Sequence, residues 1–479
     1  MRRIRVTGRS FSLSRHSSVR WHTAVLAFLV GLSAFSADDA LGQRKTYEEE
    51  GGTFGDGTRY LMRVPSNWNR TVIRDLDYAT RPNSDRYMFL LAQGYAVSGT
   101  ARHDRREFGG YDPIREIERL AQVQEVFESR FGSPDRVIQL GCSGGGRSGT
   151  LTSEYFPEQV DGVVSVGNGP MLWTRNSHFD TRFALQTLLD VDLPIVNLPP
   201  PESSRVSNNR GDHFPSIVFA WRDVISEAQL TPEGRARIAL AVAIGQLPHW
   251  VNPHDPKPDP NDTAELQLAM YLAALQFEVN RPSRIMIESA PGFGQRNYQA
   301  SWNDDVDYRE FFSNANQYHA RAVRALYNEA GMDLEADLDA LNRSATVSAD
   351  PEAIEYWSAP GRLGVGLPQV PVLRVQEIGD AQIPASVVQG YADLVRANGK
   401  EDLFRPVYIE APTHCDFTTA EAGAMIETLM HRLDTGAWGS TEPEDLNELA
   451  GSLHGTVSRF IPLEDWYKVE KYNRTWVPK

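Results

Sequence analysis

The segment Gly141-Cys142-Ser143-Gly144-Gly145 stands directly between a predicted strand, residues 136–140, and a predicted helix, residues 148–156. The chain must turn sharply in this short space, and only small residues fit beside a residue on so tight a turn. The pattern G-x-S-x-G at a strand-to-helix turn is typical of a nucleophile elbow, which projects the serine hydroxyl above a sheet. The sequence therefore predicts an α/β sheet that carries Ser143 as a nucleophile.

Apolar strand segments alternate with helical ones on both sides of this motif, which predicts a mostly parallel sheet flanked by helices. The strand segments are 71–76, 95–99, 136–140, 161–166, 372–376 and 407–409. Between residues 171 and 367 the alternation stops, and helical spacing dominates at 233–247, 264–279 and 308–331. We therefore expect an α/β-hydrolase fold in two parts, 44–170 and 368–479, interrupted by a large, mainly helical lid insertion over 171–367.

In such a fold the nucleophile is followed in the chain by an acid and then by a histidine, each on a loop after a late strand. Asp380 lies between the strand at 372–376 and a predicted helix at 385–398, where the acid is expected. Glu377 and Asp416 are competing carboxylates. His414 follows the last predicted strand and precedes a final predicted helix, which starts near Thr418 with a capping box at Thr418 and Glu421.

These residues predict covalent catalysis by a Ser-His-Asp triad. Ser143 attacks a carbonyl carbon, His414 takes the serine proton and later gives it to the leaving group, and Asp380 orients the imidazole. The amide of Gly144, at a helix N-terminus, is the predicted donor to the developing oxyanion.

Two cysteines are present, and each neighbours a predicted catalytic residue: Cys142 precedes Ser143, and Cys415 follows His414. If Ser143 and His414 lie within hydrogen-bond reach, their neighbours lie within plausible disulfide range. The alternative is a pair of independent buried thiols.

The combination Cys-Ser, Asp, His-Cys resembles the tannase and feruloyl esterase group, and residues 141–149 are similar to that group's elbow. The resemblance implies a disulfide beside the catalytic serine and histidine, an aromatic ester as substrate, and no cofactor. Other segments, such as 67–69 and 414–418, are similar to a looser set of secreted bacterial α/β-hydrolases. The insertion lacks the acidic, glycine-containing loop that binds calcium in the tannase lid, so no metal is expected.

One segment departs from the pattern of these hydrolases. They usually carry His-Gly after an early strand, where a second oxyanion amide originates, whereas this chain has Asp77-Tyr78-Ala79. The amide of Tyr78 or Ala79, or the Tyr78 hydroxyl, is the predicted second donor.

The first 43 residues have the pattern of a secretory signal peptide. Six arginines precede an apolar run at 23–37, and Ala40-Leu41-Gly42 offers a cleavage site before Gln43. The run is short for a membrane span, which needs about 20 residues. We expect a secreted or periplasmic protein with no membrane span after signal removal; an uncleaved anchor is the alternative.

The charge balance bears on partners. With 48 Lys and Arg against 63 Asp and Glu, the formal net charge is −15, which disfavours binding to nucleic acid.

We expect a small-molecule carboxylic ester as the substrate, with amide or peptide cleavage by the same triad as the alternative. A non-catalytic binding protein is disfavoured because the triad is intact in order and spacing. The sequence does not indicate an oligomeric state.

Overall fold

The computed structural model describes residues 46–102, 112–196, 214–275 and 299–474. In this part of the chain, nine strands form one sheet with the order β1-β2-β4-β3-β5-β6-β7-β8-β9. The strands are β1 Tyr47–Thr53, β2 Arg59–Pro65, β3 Thr71–Asp75, β4 Ala96–Thr100, β5 Arg136–Cys142, β6 Gly162–Val166, β7 Val372–Glu377, β8 Phe404–Ile409 and β9 Phe460–Ile461.

Strands β3 to β8 pair in parallel with one another, whereas β1, β2 and β9 pair in antiparallel fashion at the margins. Every residue of β3, β4, β6 and β7 is buried. Strands that are buried throughout are expected in a parallel sheet covered by helices on both faces. The sheet and its flanking helices form the α/β-hydrolase fold predicted from the sequence.

Six described helices accompany the strands of this sheet. They are α1 Asp85–Ala92, α2 Pro113–Phe131, α3 Gly144–Tyr155, α12 Ala385–Ala397, α13 Thr419–Thr435 and α14 Pro443–Leu453. The predicted capping box begins α13: the Thr418 side chain accepts from the Glu421 amide, and the Glu421 carboxylate accepts from the Thr418 amide. This cap fixes where the helix that follows His414 starts.

Between β6 and β7 the described elements are all helices. They are α4 Met171–Leu188, α5 Pro215–Ala228, α6 Pro232–Ile244, α7 Thr263–Leu275, α8 Tyr308–Ser313, α9 Gln317–Ala330, α10 Leu334–Ser344 and α11 Pro351–Ser358. They surround a hydrophobic core of their own, which includes Phe179, Trp221, Leu240 and Tyr308. These helices fall within residues 171–367; their role as a lid stays a prediction.

Three sequence-based boundaries need correction. The helix predicted over 308–331 is two helices, α8 and α9, because the Asn316 side chain accepts from the amides of Tyr318 and His319 and starts a new helix. Helix α3 begins at Gly144, four residues earlier than predicted, since glycines continue the helix directly from the turn. Helix α13 is followed by α14, so it is not the last helix of the described chain.

The predicted signal peptide, residues 1–43, lies outside the described residues. Among the helices that are described, none combines the length and the apolar character that a membrane span requires.

Candidate active site

Ser143 occupies a strained turn between β5 and α3. Its φ is 59° and its ψ is −120°, a conformation that side-chain-bearing residues rarely adopt. The Ser143 amide donates to the Val166 carbonyl at the end of β6, at 3.0 Å. This bond fixes the strained residue to the neighbouring strand, as expected for a nucleophile elbow.

The glycines around Ser143 are required by close backbone packing. A Cβ on Gly141 would lie 2.5 Å from the carbonyl carbon of Gly145, and one on Gly146 would lie 2.6 Å from the Val166 oxygen. Both distances are shorter than real Cβ contacts, so a larger residue would push α3 away from β5 and β6. The glycine pattern thus follows from the turn geometry.

His414 and Asp380 are joined at the carboxyl ends of β8 and β7. The Nδ1 atom of His414 lies 2.6 Å from Oδ2 of Asp380, whose side chain is fully buried. The other carboxylate oxygen, Oδ1, accepts hydrogen bonds from the amides of Gln382 and Ile383 at 2.8 and 3.2 Å. The acid loop thus holds the carboxylate in place, and the carboxylate holds the ring with Nε2 directed away from it.

The two competing carboxylates occupy other environments. Glu377 is fully buried, and neither of its carboxylate oxygens has a hydrogen-bond partner among the described residues. Burial, together with the nearby charge of Asp380, raises the pKa of Glu377 well above its usual value. Asp416 is partly exposed and pairs with Arg459 at 3.2 Å. Of the three acids, Asp380 is the one in hydrogen-bond contact with His414.

Cys142 and Cys415 form a disulfide with a Cα–Cα distance of 5.9 Å, across a sequence separation of 273 residues. The bond connects the end of β5 to the loop after β8. Gly167 lies close to the disulfide, to the histidine and to Glu377. A Cβ on Gly167 would lie 3.2 Å from Cys142 Sγ, 3.4 Å from His414 Cε1 and 3.1 Å from Glu377 Oε2. The disulfide therefore fixes the elbow and the histidine loop to each other.

The Nε2 atom of His414 is the one that would receive the Ser143 proton. It is buried and has no hydrogen-bond partner within the described ranges, and no hydrogen bond between Ser143 and His414 is formed there. Such bonds are often long before substrate binds and shorten in the reacting complex. With Nδ1 engaged by Asp380, Nε2 is the nitrogen left for proton transfer.

The predicted oxyanion donors lie on two segments. Gly144 is the first residue of α3, where the helix dipole favours a negative charge. Tyr78 and Ala79 lie in a 3-10 turn, Tyr78–Thr80, after β3. Just before this turn, Asp75 Oδ1 and Leu76 Cβ lie 3.6 and 3.5 Å from the position that a Cβ on Gly145 would take.

The side chain of Tyr78 is in the core of the sheet domain. It is fully buried, and its ring meets that of Tyr87 edge-to-face with a centroid separation of 4.9 Å. Burial raises the pKa of its hydroxyl, which lies within the influence of Arg63 on β2. The backbone amides of Tyr78 and Ala79, not this hydroxyl, stay the predicted second donors.

Two residues near the elbow were missed by the sequence analysis, Gly167 and Arg102. The Arg102 guanidinium lies 3.2 Å from the Cys142 carbonyl oxygen through Nη2 and pairs with Asp77 at 2.6 Å. Arg102 lies two residues after β4 and belongs to no recognisable sequence motif. Its position after a strand that ends at the same edge of the sheet as β5 is the sequence feature that could have indicated a place near Ser143.

Three residues of types that often bind metals lie close together at this site, within the described part of the chain. They are Cys142, His414 and Cys415. Metal sites use cysteine as thiolate. Here both sulfur atoms are bonded to each other, so the cluster does not supply thiolate ligands.

Sequence comparison relates this chain to a known hydrolase. No protein-family model matches the chain. The o-phthalyl amidase of Xanthobacter agilis is 43% identical over 456 residues, covering 91% of this chain and 98% of the amidase. Feruloyl esterase B from Aspergillus oryzae aligns over 82% of this chain and 81% of its own, at 13% identity and a TM-score of 0.37. Tannin acyl hydrolase from Aspergillus niger aligns over 80% and 78%, at 14% identity and a TM-score of 0.38.

Proposed function

Because the chain belongs to the hydrolase family that includes the o-phthalyl amidase of Xanthobacter agilis, we propose that it is a serine amidase that releases amines from o-phthalyl amides. The observation that carries the proposal is the contact of 2.6 Å between Asp380 and His414, next to the strained Ser143 elbow. Identity of 43% over nearly the whole of both chains supports the same acyl group as substrate.

The proposed reaction proceeds in two halves on Ser143. The Oγ atom attacks the amide carbonyl as its proton passes to Nε2 of His414, and the Gly144 amide stabilises the oxyanion. The imidazolium then gives that proton to the amine nitrogen as the C–N bond breaks, which leaves an ester between the acyl group and Ser143. Water, deprotonated by His414, attacks this ester and restores the hydroxyl.

Ester hydrolysis, which the sequence analysis favoured, needs the same residues. An alkoxide leaves more readily than an amine, so a triad that expels amines also expels alcohols. We therefore propose esters of the same aromatic acids as a second substrate class. The resemblance of the Cys-Ser, Asp, His-Cys signature to tannases and feruloyl esterases supports this class.

The proposal is tested with the wild-type protein and two serine variants. The wild type is expected to release 4-nitroaniline from 2-carboxybenzoyl-4-nitroanilide, and Ser143→Ala is expected to retain less than about a thousandth of this rate. Ser133→Ala, at an exposed loop position, is the matched control and is expected to keep full activity. A wild type that leaves both this anilide and the matching ester uncut would overturn the proposal.

We also propose that the protein is exported. The disulfide supports this, because structural disulfides persist in oxidising compartments and are rare in the cytosol. The signal-peptide pattern of residues 1–43 supports it independently.

A further inference from the structure

A positive charge lies beside the proposed nucleophile in a chain whose net charge is −15. The guanidinium of Arg102 approaches the elbow from the end of β4. Its Nη1 and Cζ atoms lie 2.8 and 3.1 Å from the position that a Cβ on Gly144 would take. Its Nη2 atom lies 3.2 Å from the carbonyl oxygen of Cys142. The guanidinium therefore contacts the residues on both sides of Ser143.

The environment of this guanidinium strengthens its attraction for an anion. The Arg102 side chain is only 12% exposed, so water screens its charge weakly. One carboxylate partner, Asp77, lies at 2.6 Å in the loop after β3 and is 40% exposed. A guanidinium offers five N–H donors in a planar fork, a geometry that matches the two oxygens of a carboxylate.

We propose that Arg102 binds a carboxylate of the substrate that is ortho to the scissile carbonyl, and that it thereby selects the acyl group. This inference rests on the proposed function. In an o-phthalyl amide, adjacent ring carbons carry the scissile carbonyl and a free carboxylate. When the carbonyl carbon meets Ser143 and its oxygen faces the Gly144 amide, the neighbouring carboxylate lies next to the scissile bond. The Arg102 guanidinium, which flanks Gly144, is a cation near that position.

The carboxylate contact also bears on how the acyl group is oriented. A charge-assisted bond to Arg102 and an oxyanion contact at Gly144 hold two substituents of one ring at once. Two fixed substituents define the orientation of the ring, which favours productive geometry at the carbonyl carbon. An acyl group without the ortho carboxylate lacks the first of these contacts, and a para carboxylate points away from it.

A purely structural role for Arg102 makes a different prediction. Its ion pair with Asp77 and its bond to Cys142 connect the loop after β3 to the elbow. If that connection were its whole function, replacing Arg102 would slow every substrate by a similar factor. The two roles are therefore separated by comparing substrates that differ only in the ortho carboxylate.

The experiment compares 4-nitroanilides of 2-carboxybenzoic, 4-carboxybenzoic and benzoic acids at neutral pH, with wild type, Arg102→Gln and Arg102→Lys. For Arg102→Gln we expect kcat/KM on the ortho-carboxy anilide to fall by about 10- to 100-fold, as for loss of a hydrogen bond to a charged group. On the benzoyl and 4-carboxy anilides we expect a smaller loss of kcat/KM, because these substrates are affected only through the contacts of Arg102 with Asp77 and Cys142. Arg102→Lys, which keeps the charge but not the fork, should be intermediate on the ortho-carboxy anilide.

An equal loss on all three anilides would overturn the inference and leave the proposed function intact. A wild type that cleaves the benzoyl anilide but not the ortho-carboxy anilide would overturn the proposed substrate class, and the inference with it. If Arg102→Gln does not fold, product inhibition of the wild type gives the same test. Phthalate should then inhibit at least about tenfold more tightly than benzoate, and equal inhibition would refute carboxylate recognition.

Discussion

Cys142 and Cys415 are joined by a disulfide, and each is the chain neighbour of a residue that the proposed reaction needs, Ser143 or His414. The backbone is unusual at or beside each cysteine: φ is 59° at Ser143, which follows Cys142, and 62° at Cys415 itself. Left-handed conformations at residues other than glycine cost free energy and persist where surrounding contacts hold them. The disulfide is one such contact, since it joins the strained Cys415 to Cys142, the chain neighbour of the strained Ser143.

Removal of this disulfide is expected to lower both stability and activity. The Cys142→Ala, Cys415→Ala double variant should lose about 2 to 5 kcal/mol of unfolding free energy, because the bond closes a loop of 273 residues. Its kcat should fall by up to about 100-fold, the effect of a displacement of about 1 Å at a catalytic base. Urea denaturation and anilide hydrolysis measure the two effects.

The matched control for that variant is the wild type after reduction and thiol blocking, which should behave in the same way. Non-reducing peptide mapping of the active enzyme should find Cys142 linked to Cys415. Two titratable thiols in fully active protein would contradict the disulfide's proposed contribution.

The assignment of Asp380 as the acid predicts a sharp difference among three carboxylates. Asp380→Asn should reduce kcat by about 10⁴-fold, because the amide stabilises the wrong tautomer of His414. Glu377→Gln and Asp416→Asn should stay within about tenfold of wild type, since among the described contacts the imidazole hydrogen-bonds to Asp380 and to neither of these acids. Steady-state kinetics on the same anilide, with circular dichroism as a folding check, measures the difference. A mild Asp380→Asn with a severe Glu377→Gln would reverse the assignment.

The proposal that the protein is exported predicts where its N-terminus lies after the signal peptide has been removed. When the full chain is expressed in a bacterium, the protein recovered outside the cytoplasm should begin near Gln43 and contain the disulfide. A chain lacking residues 1–42, retained in a reducing cytosol, is the matched control and should carry free thiols. Intact-mass measurement distinguishes the two. Recovery of the uncleaved chain in the membrane fraction would indicate an anchor instead.

The elbow and the capping box were predictable because local chemistry determines them. Only glycine fits the close backbone packing at Gly141 and Gly146, on either side of Ser143, and Thr418 with Glu421 satisfies the first amides of α13. Strand β1, in contrast, was not predicted. It lies at the margin of the sheet, and three of its seven residues are glutamates and two are glycines, so it lacks an apolar alternation.

Arg102 could not be found from the sequence for a different reason. Its closeness to Cys142 and Gly144 depends on the sheet order β4-β3-β5, which brings the ends of separate strands to one edge. No local pattern around residue 102 encodes that order.

Likewise, apolar spacing continues through residues 308–331, and the break between α8 and α9 depends on the Asn316 cap. Such features follow from tertiary packing and single hydrogen bonds.

The buried acid Glu377 predicts a pH dependence of stability. Burial is the main cause that raises its pKa well above the usual value, and the charge of Asp380 adds to it. Below the ordinary pKa of a glutamate, about 4.3, the side chain is protonated in both folded and unfolded chains. As pH rises, the unfolded chain loses this proton first, so the folded state becomes progressively less favourable until its own pKa is reached.

Glu377→Gln replaces the neutral acid with a neutral amide of similar shape, so it should remove this part of the pH dependence. The unfolding free energy of the variant minus that of wild type should increase as pH rises above the ordinary glutamate pKa, by up to about 1.4 kcal/mol per pH unit. Urea denaturation at four pH values measures this difference, and comparison with wild type cancels the other titrating groups. A difference that stays constant over the range would mean that Glu377 ionises in the fold as it does in the unfolded chain. The burial of both its carboxylate oxygens without hydrogen-bond partners, within the part of the chain that is described, argues for the rising difference.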